Sequence, residues 1–382
     1  MKTLRNYIGG EWVTPSATEY LDLTNPATGE MLGRVPLSGT REVDAAVAAA
    51  QAAFLKWREV PPVARARYLF KLKYLMEQHF EEIAATVTRE NGKTLDEARG
   101  SVRRGIENVE HACGIPTLMM GKTLEDVAAG IDCEYVRQPL GVFAAVTPFN
   151  FPAMVPCWFW PYAIATGNTF ILKPSEQVPF SPTLMLELAH EAGIPAGVLN
   201  MVHGAKDAVN ALLAHPGIAG ISFVGSSPVA KHVYLESAKH GKRVQALGGA
   251  KNHVIVMPDA DMDRAVANIS ESLFGCAGQR CLAGSVVVAA VTHVSNLDEG
   301  IDMVQRSGFA NATSIFTQSG KAAREFRYRV GVSMIGVNIG VAAPMAFFPF
   351  GGTKGSFFGD LKAHGQDSIE FYTDKKVVIS RW

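Results

Sequence analysis

The chain has 382 residues, 48% apolar and 19% charged, a globular balance that excludes a disordered chain and leaves room for two or three domains. Lysine plus arginine equals aspartate plus glutamate, 36 each, which excludes a basic field for nucleic acid or an anionic membrane surface. Five cysteines, odd in number and without C-x-x-C spacing, exclude a disulfide framework or zinc site, so no metal is expected and the expected setting is a reducing cytoplasm.

Met1 to Tyr7 lack the apolar run of a signal peptide. Residues 1–40 read as short extended pieces, with Asn25-Pro26-Ala27-Thr28-Gly29 as a turn. A helix is expected over 41–57, with Thr40 as its N-cap. A second is expected over 63–89, where Leu69, Leu72, Met76, Phe80, Ile83 and Val87 recur at helical spacing and Asn91-Gly92 ends the run. A third is expected over 96–111. Residues 131–138 alternate and suit a half-exposed strand.

Four short apolar runs follow, at 142–146, 169–172, 198–202 and 220–224, separated by helix-length stretches. In one stretch Ser181 is the expected N-cap, Pro182 the first helical residue and Gly193 the terminator. Continuous apolar strands alternating with helices predict a parallel sheet covered on both faces, an α/β fold. The segment 152–172 is apolar enough for a membrane span, but Pro152, Pro156, Pro161 and Gly167 interrupt it; a buried helix followed by a buried strand is expected, and no membrane.

In such sheets ligands sit at the carboxyl ends of the strands. After Val146 comes Thr147-Pro148-Phe149-Asn150-Phe151-Pro152. An amide held between two prolines can donate to a developing oxyanion, or Asn150 can simply form a turn. After Leu172 comes Lys173-Pro174-Ser175-Glu176, a cation and an anion able to hold ribose hydroxyls, or a solvated pair. After Val224 comes Gly225-Ser226-Ser227-Pro228, which opens a helix and suits a phosphate without matching G-x-G-x-x-G. Leu247-Gly248-Gly249 and residues 349–356 are tight turns. Between them, Gly275-Cys276-Ala277-Gly278-Gln279-Arg280-Cys281-Leu282-Ala283-Gly284 holds two cysteines among small residues. Arg280 before Cys281 is expected to favour its thiolate; the alternative is an inert core thiol.

Taken together, Thr147 to Pro152, Lys173 to Glu176, Phe223 to Ser227, Leu247-Gly248-Gly249, Gly278 to Cys281 and Pro349 to Lys354 occur in the order found in aldehyde dehydrogenases, and the chain resembles that family over almost its whole length. The resemblance implies an aldehyde dehydrogenase fold: a parallel Rossmann-like NAD-binding domain (1–120 and 140–246), an α/β catalytic domain (247–359), and a small oligomerisation sheet (121–139 and 360–382) that implies a homo-oligomer, dimer or tetramer. It implies that Cys281 is the nucleophile, with Cys276 a bystander, and that Asn150 with the Cys281 backbone N–H forms the oxyanion hole. Lys173 and Glu176 would hold the adenosine ribose, and Gly225 and Ser226 the pyrophosphate. Thr147, Phe149 (where many members have tryptophan), Leu247 and Gly248 would also line the NAD site.

Two departures sharpen this reading. Most members carry a glutamate before Leu-Gly-Gly as the base that activates water; here Ala246 stands there and cannot take a proton. Acyl transfer to a thiol needs less help. This pattern, with the strings around Arg104 and Arg280, resembles the CoA-acylating methylmalonate-semialdehyde dehydrogenases. The branch implies that Arg104 and Arg280 hold the substrate carboxylate, that hydride passes to NAD, that CO2 is lost, and that coenzyme A takes the acyl group as cosubstrate. A hydrolytic aldehyde dehydrogenase is the alternative. The second departure is a shortfall after Ala290, on the order of a hundred residues by length, which removes the family's Glu-Ile-Phe-Gly-Pro stretch and would shorten the catalytic domain near 290. Val286 to Val294 would then run as one strand, with apolar surface exposed. An impaired form that only binds cofactor and self-associates is the further alternative.

Overall fold

The computed structural model describes residues 2–284 and 292–382. The strand expected across Val286 to Val294 therefore falls largely outside the described residues.

The organising element is an eight-stranded sheet. Five parallel strands form its middle, in the spatial order Arg243–Leu247, Ile218–Val224, Val142–Val146, Thr169–Lys173 and Leu199–Met201. Phe357–Gly359 adds antiparallel at one edge, and Asn6–Ile8 followed by Glu11–Val13 at the other. The strand order reverses between Val142–Val146 and Ile218–Val224, which opens a crevice at their carboxyl ends. Alternation along the strands feeds two cores. Phe143, Ala145, Phe170 and Leu172 pack with Leu69, Ile106 and Trp160 on one face. Val142, Ala144, Val146 and Ile171 pack with Val47, Leu212 and Val233 on the other.

The expected helix over 63–89 is two helices, Pro62–Gln78 and Phe80–Asn91, parted at His79, whose ring hydrogen-bonds Glu82 at 2.7 Å. Gly92, at φ 85°, ends the second. The first helix, Thr40–Trp57, is capped from Gly39 rather than Thr40. The helix Phe180–Glu191 begins before Ser181. Its cap comes from Glu90, whose carboxylate accepts the N–H groups of Phe180 and Ser181 and the Ser181 hydroxyl. The apolar segment resolves into Pro156–Trp158, Trp160–Ala165 and the strand Thr169–Lys173, all buried. No helix among the described residues is long and apolar enough to cross a membrane.

A second sheet is small: His253–Val256, Ala312–Phe316 and Met334–Val337, all parallel. Its core is Ile255, Ile301, Val304, Ile315, Phe326 and Val330. Beside it the helix Met262–Phe274 buries only Ala265 and Ser272, while Met262, Val266 and Phe274 are exposed. A third sheet has three antiparallel strands, the middle one covering the strand expected over 131–138: Lys122–Ala128, Ile131–Pro139 and Thr373–Arg381. Residues 370–372 belong to the helix Gly365–Tyr372 that precedes the last strand. Leu124, Val377, Ile379 and Trp382 stand exposed on this ribbon.

Candidate functional site

The crevice at the strand reversal collects the residues expected to hold a dinucleotide. Thr147 is buried directly after Val142–Val146, its N–H donating to the Lys173 carbonyl at 3.1 Å. Lys173 is buried at the end of its strand and ion-pairs with Glu176 at 2.7 Å. Burial pushes the Lys173 ammonium down, and Glu176 pulls it back up. Gly225 and Ser226 lead into the helix Ser227–Lys239 with Pro228 in its first turn. Ser226 makes no side-chain cap, so its hydroxyl does not compete with an anion for the first-turn N–H groups. The Leu247-Gly248-Gly249 turn packs on this helix start: Ser227 Oγ accepts the Gly249 N–H at 2.8 Å and donates to the Gly355 carbonyl at 2.6 Å. A Cβ at Gly248 would lie 2.8 Å from Ser227 Oγ, so the close approach requires glycine. Phe149 lies half out of the surface.

Asn150 faces the cysteine stretch. Its amide donates to the Gln279 carbonyl at 2.7 Å, and its own carbonyl accepts the ammonium of Lys93. Lys93 is buried over the Phe151 ring at 4.2 Å; burial lowers its pKa. Sequence reading passed over Lys93, although its place after Asn91-Gly92 at a helix end is a legible signal.

The cysteine stretch follows the helix Met262–Phe274. Cys276, Ala277 and Gly278 are all left-handed, at φ 52°, 51° and 72°; for the first two this is a strained conformation, held by surrounding contacts. The Cys276 N–H donates to Glu97 and the Cys276 carbonyl accepts the Gln279 N–H at 3.0 Å. The turn sends Arg280 backward. Its Nε donates to Cys276 Sγ at 3.3 Å, and its guanidinium lies 3.9 Å from Glu97 and 4.0 Å from Glu271. The expectation that Arg280 favours the Cys281 thiolate is therefore corrected: the arginine serves Cys276. Cys281 is half-buried, and burial pushes its thiol up to about 11, against the N–H groups of Cys281 and Leu282 that hold it down.

Both cysteines and both arginines line one cavity of about 520 Å³. Apolar walls come from Phe151, Met154, Trp158, Leu282 and Phe350. Arg104 reaches it from the helix Leu95–Cys113, loosely paired with Glu107 at 3.3 Å and in contact with Met345 Sδ at 3.0 Å. The oxygen partners of the arginines are distant: Arg104 Nη1 donates to Glu107 at 3.3 Å and to the Pro344 carbonyl at 3.4 Å, and Arg280 Nη1 to the Glu271 carbonyl at 3.5 Å, weaker contacts than a bidentate carboxylate would make. Ala246 is buried in the strand Arg243–Leu247, paired with Phe223 and Phe358, and presents no group that titrates. Among the described residues no cluster of His, Cys, Asp and Glu could hold a metal.

Comparison with known proteins identifies the family. The pattern described as "Aldehyde dehydrogenase family" matches residues 12–290 and 286–378, two pieces that meet where the shortfall was read. Malonate-semialdehyde dehydrogenase 2 of Geobacillus thermodenitrificans is 46% identical, with 100% of this chain and 99% of the relative covered. The aligned span is 478 residues against 382 here, a shortfall on the order of a hundred. Malonate-semialdehyde dehydrogenase of Halalkalibacterium halodurans is 43% identical over 99% and 98% of the two chains. Among solved structures, methylmalonate-semialdehyde dehydrogenase of Oceanimonas doudoroffii superposes with a TM-score of 0.96 at 37% identity, covering 100% and 99%. A protein of Sinorhizobium meliloti 1021 complexed with NAD, assigned to the methylmalonate-semialdehyde dehydrogenases, gives 0.95 at 35% identity, covering 100% and 98%. With this fold and these matches, the chain belongs to the aldehyde dehydrogenase family of oxidoreductases.

Proposed function

We propose that the chain oxidises malonate or methylmalonate semialdehyde with NAD, releases CO2 and transfers the acyl group to coenzyme A. The observation that carries this reading is one cavity lined by Cys281, Arg104 and Arg280, with the non-titrating Ala246 buried at the usual position of the water-activating base. The names of the relatives support the substrate class, and the NAD complex supports the cofactor.

The residues present fit NAD. Glu176 and Lys173 would take the ribose hydroxyls, and Glu176 would repel a 2′-phosphate. The open first turn at Ser226 and Ser227 would take the pyrophosphate. When bound, NAD accepts the hydride.

In the proposed reaction Arg104 and Arg280 hold the substrate carboxylate in a fixed orientation, which places the aldehyde carbon before Cys281. The Cys281 thiolate adds to that carbon. The Asn150 amide and the Cys281 N–H stabilise the oxyanion, which requires Asn150 to exchange its bond to Gln279. Loss of hydride leaves a thioester on Cys281. Its carbonyl takes up the electron pair of the breaking C–C bond as CO2 departs, and the resulting carbanion is protonated. The coenzyme A thiolate then attacks the thioester and frees Cys281.

The test is NADH formation from either semialdehyde with and without coenzyme A. The proposal expects sustained turnover only with coenzyme A. Equal turnover without it points to the hydrolytic alternative. A second reading, cofactor binding and self-association without turnover, draws on the roughly hundred-residue shortfall and the exposed apolar face of Met262–Phe274. NAD binding without any NADH formation would establish it.

A further inference from the structure

The Cys281 carbonyl accepts two side-chain amides at once: Asn252 Nδ2 at 2.9 Å and Asn311 Nδ2 at 2.9 Å. Asn252 also donates to the Ala283 carbonyl at 2.7 Å, and its Oδ1 accepts the Ala312 N–H at 3.0 Å. Asn252 further forms an isolated bridge with Gly284. Each asparagine stands immediately before a strand of the small sheet, His253–Val256 and Ala312–Phe316. Parallel pairing of those strands, with His253 opposite Thr313, brings the two amides together. Both lone pairs of one carbonyl are thereby used, in a half-buried to buried setting.

A carbonyl held on two sides fixes its peptide plane. That peptide ends in the Leu282 N–H, which together with the Cys281 N–H holds the Cys281 thiol pKa down against burial. The clamp also joins the chain across its shortened region: Asn252 lies before it and Asn311 after it. It uses nothing from the segment that the relatives carry and this chain lacks.

We propose that Asn252 and Asn311 are positioning residues for Cys281, orienting its peptide toward the sulfur and holding the cysteine loop against the small sheet. The inference rests on the reading of Cys281 as nucleophile, but its test does not need turnover. Alkylation by iodoacetamide is followed at Cys281 and at Cys133 across pH 7.5–10 by peptide mass spectrometry, in the wild type and in Asn311→Ala, Asn311→Asp and Asn311→Ser. Cys133 lies on the remote strand Ile131–Pro139 and serves as reference.

The expected result is a Cys281 rate about tenfold lower at each pH in Asn311→Ala, as for a thiol pKa raised by about one unit. Asn311→Asp, which places an acceptor against the carbonyl, should be slower still, and Asn311→Ser, which keeps a donor, should recover part of the rate. Cys133 should not change. Unchanged Cys281 rates in all three variants would overturn the proposal. So would parallel changes at Cys281 and Cys133, which report general loosening. If the asparagine at 311 proves necessary for folding, Asn252→Asp, which keeps the acceptor for the Ala312 N–H and removes the donor, provides the same readout. A wild-type Cys281 that gives no acyl adduct with substrate would instead count against the nucleophile reading and leave the alkylation comparison intact.

Discussion

Arg280 donates through Nε to the sulfur of Cys276 at 3.3 Å, so the cation next to the proposed nucleophile in sequence is turned toward the other thiol in space. The resting Cys281 then has only backbone N–H groups to oppose burial, and its thiol is pushed up to about 11. The thiolate fraction at neutral pH is small. In the unliganded chain, alkylation of Cys281 should climb by about a decade per pH unit from 7.5 to 10, and NAD or substrate binding should be needed to raise it near neutrality. A rate that levels off below pH 8.5 without ligand contradicts this account.

The same contact gives Cys276 a task. Cys276→Ala removes an acceptor from Arg280 and leaves its guanidinium to Glu97 and Glu271. The expected effect is a KM for the anionic semialdehyde changed severalfold, with kcat within about twofold, because the group acts on binding. A kcat loss comparable to that of Cys281→Ser would make Cys276 a participant in the chemistry.

Arg104→Met and Arg280→Met separate charge recognition from catalysis. Each removes a charge-assisted contact worth about 1.5–3 kcal/mol, which corresponds to roughly ten- to a hundredfold in kcat/KM for malonate semialdehyde. Propanal, which has no carboxylate, should be affected less than about threefold. Equal losses for both aldehydes would show that the arginines only support the cavity walls.

A buried carboxyl away from the cavity sets a pH dependence of stability. Glu90 is pushed up to about 7 by burial, against the N–H groups of Phe180 and Ser181 and the Ser181 hydroxyl. An unfolded glutamate titrates near about 4.3. Between those values the folded state keeps a proton that the unfolded state has released. Stability from this group is therefore fully present below about pH 4 and lost as pH rises through 7, by an amount on the order of 3 kcal/mol. Melting temperatures at pH 5 and pH 7.5 should show the wild type falling by several degrees and Glu90→Gln falling less. Equal slopes would remove Glu90 from the account.

The antiparallel ribbon ends in Val377, Ile379 and Trp382, with Ile379 70% exposed. A three-stranded ribbon with such residues on its surface is expected to meet a second copy. Ile379→Lys should shift the chain toward monomer in sedimentation at micromolar concentration. An unchanged sedimentation coefficient would place any self-association elsewhere.

Much of the fold was legible because its parallel strands are continuous apolar runs. Val142–Val146 and Thr169–Lys173 are buried from end to end, so no alternation had to be decoded. The features that escaped are those set by long-range contacts. Ser181 looked like a cap, but the cap is Glu90 from another helix. His79 divides a helix whose apolar spacing continues across it. The direction of Arg280 depends on three consecutive left-handed residues, two of which are not glycine and gave no local signal. Asn252 and Asn311 were invisible because only strand pairing brings them to one carbonyl. Lys173, Gly225 and Ser226 follow apolar strands directly, so their place at the carboxyl end of the sheet was legible from the runs before them.

In the proposed reaction the shortened chain still forms a thioester on Cys281 that water cannot readily clear. The most direct measurement is peptide mass spectrometry after a rapid acid quench of the chain with NAD and malonate semialdehyde, without coenzyme A. The account predicts one equivalent of NADH, an acetyl adduct on the Cys281 peptide that persists for many minutes, and its loss as acetyl-CoA on adding coenzyme A. NADH accumulating over many turnovers with Cys281 unmodified, or an adduct on Cys276, would contradict it.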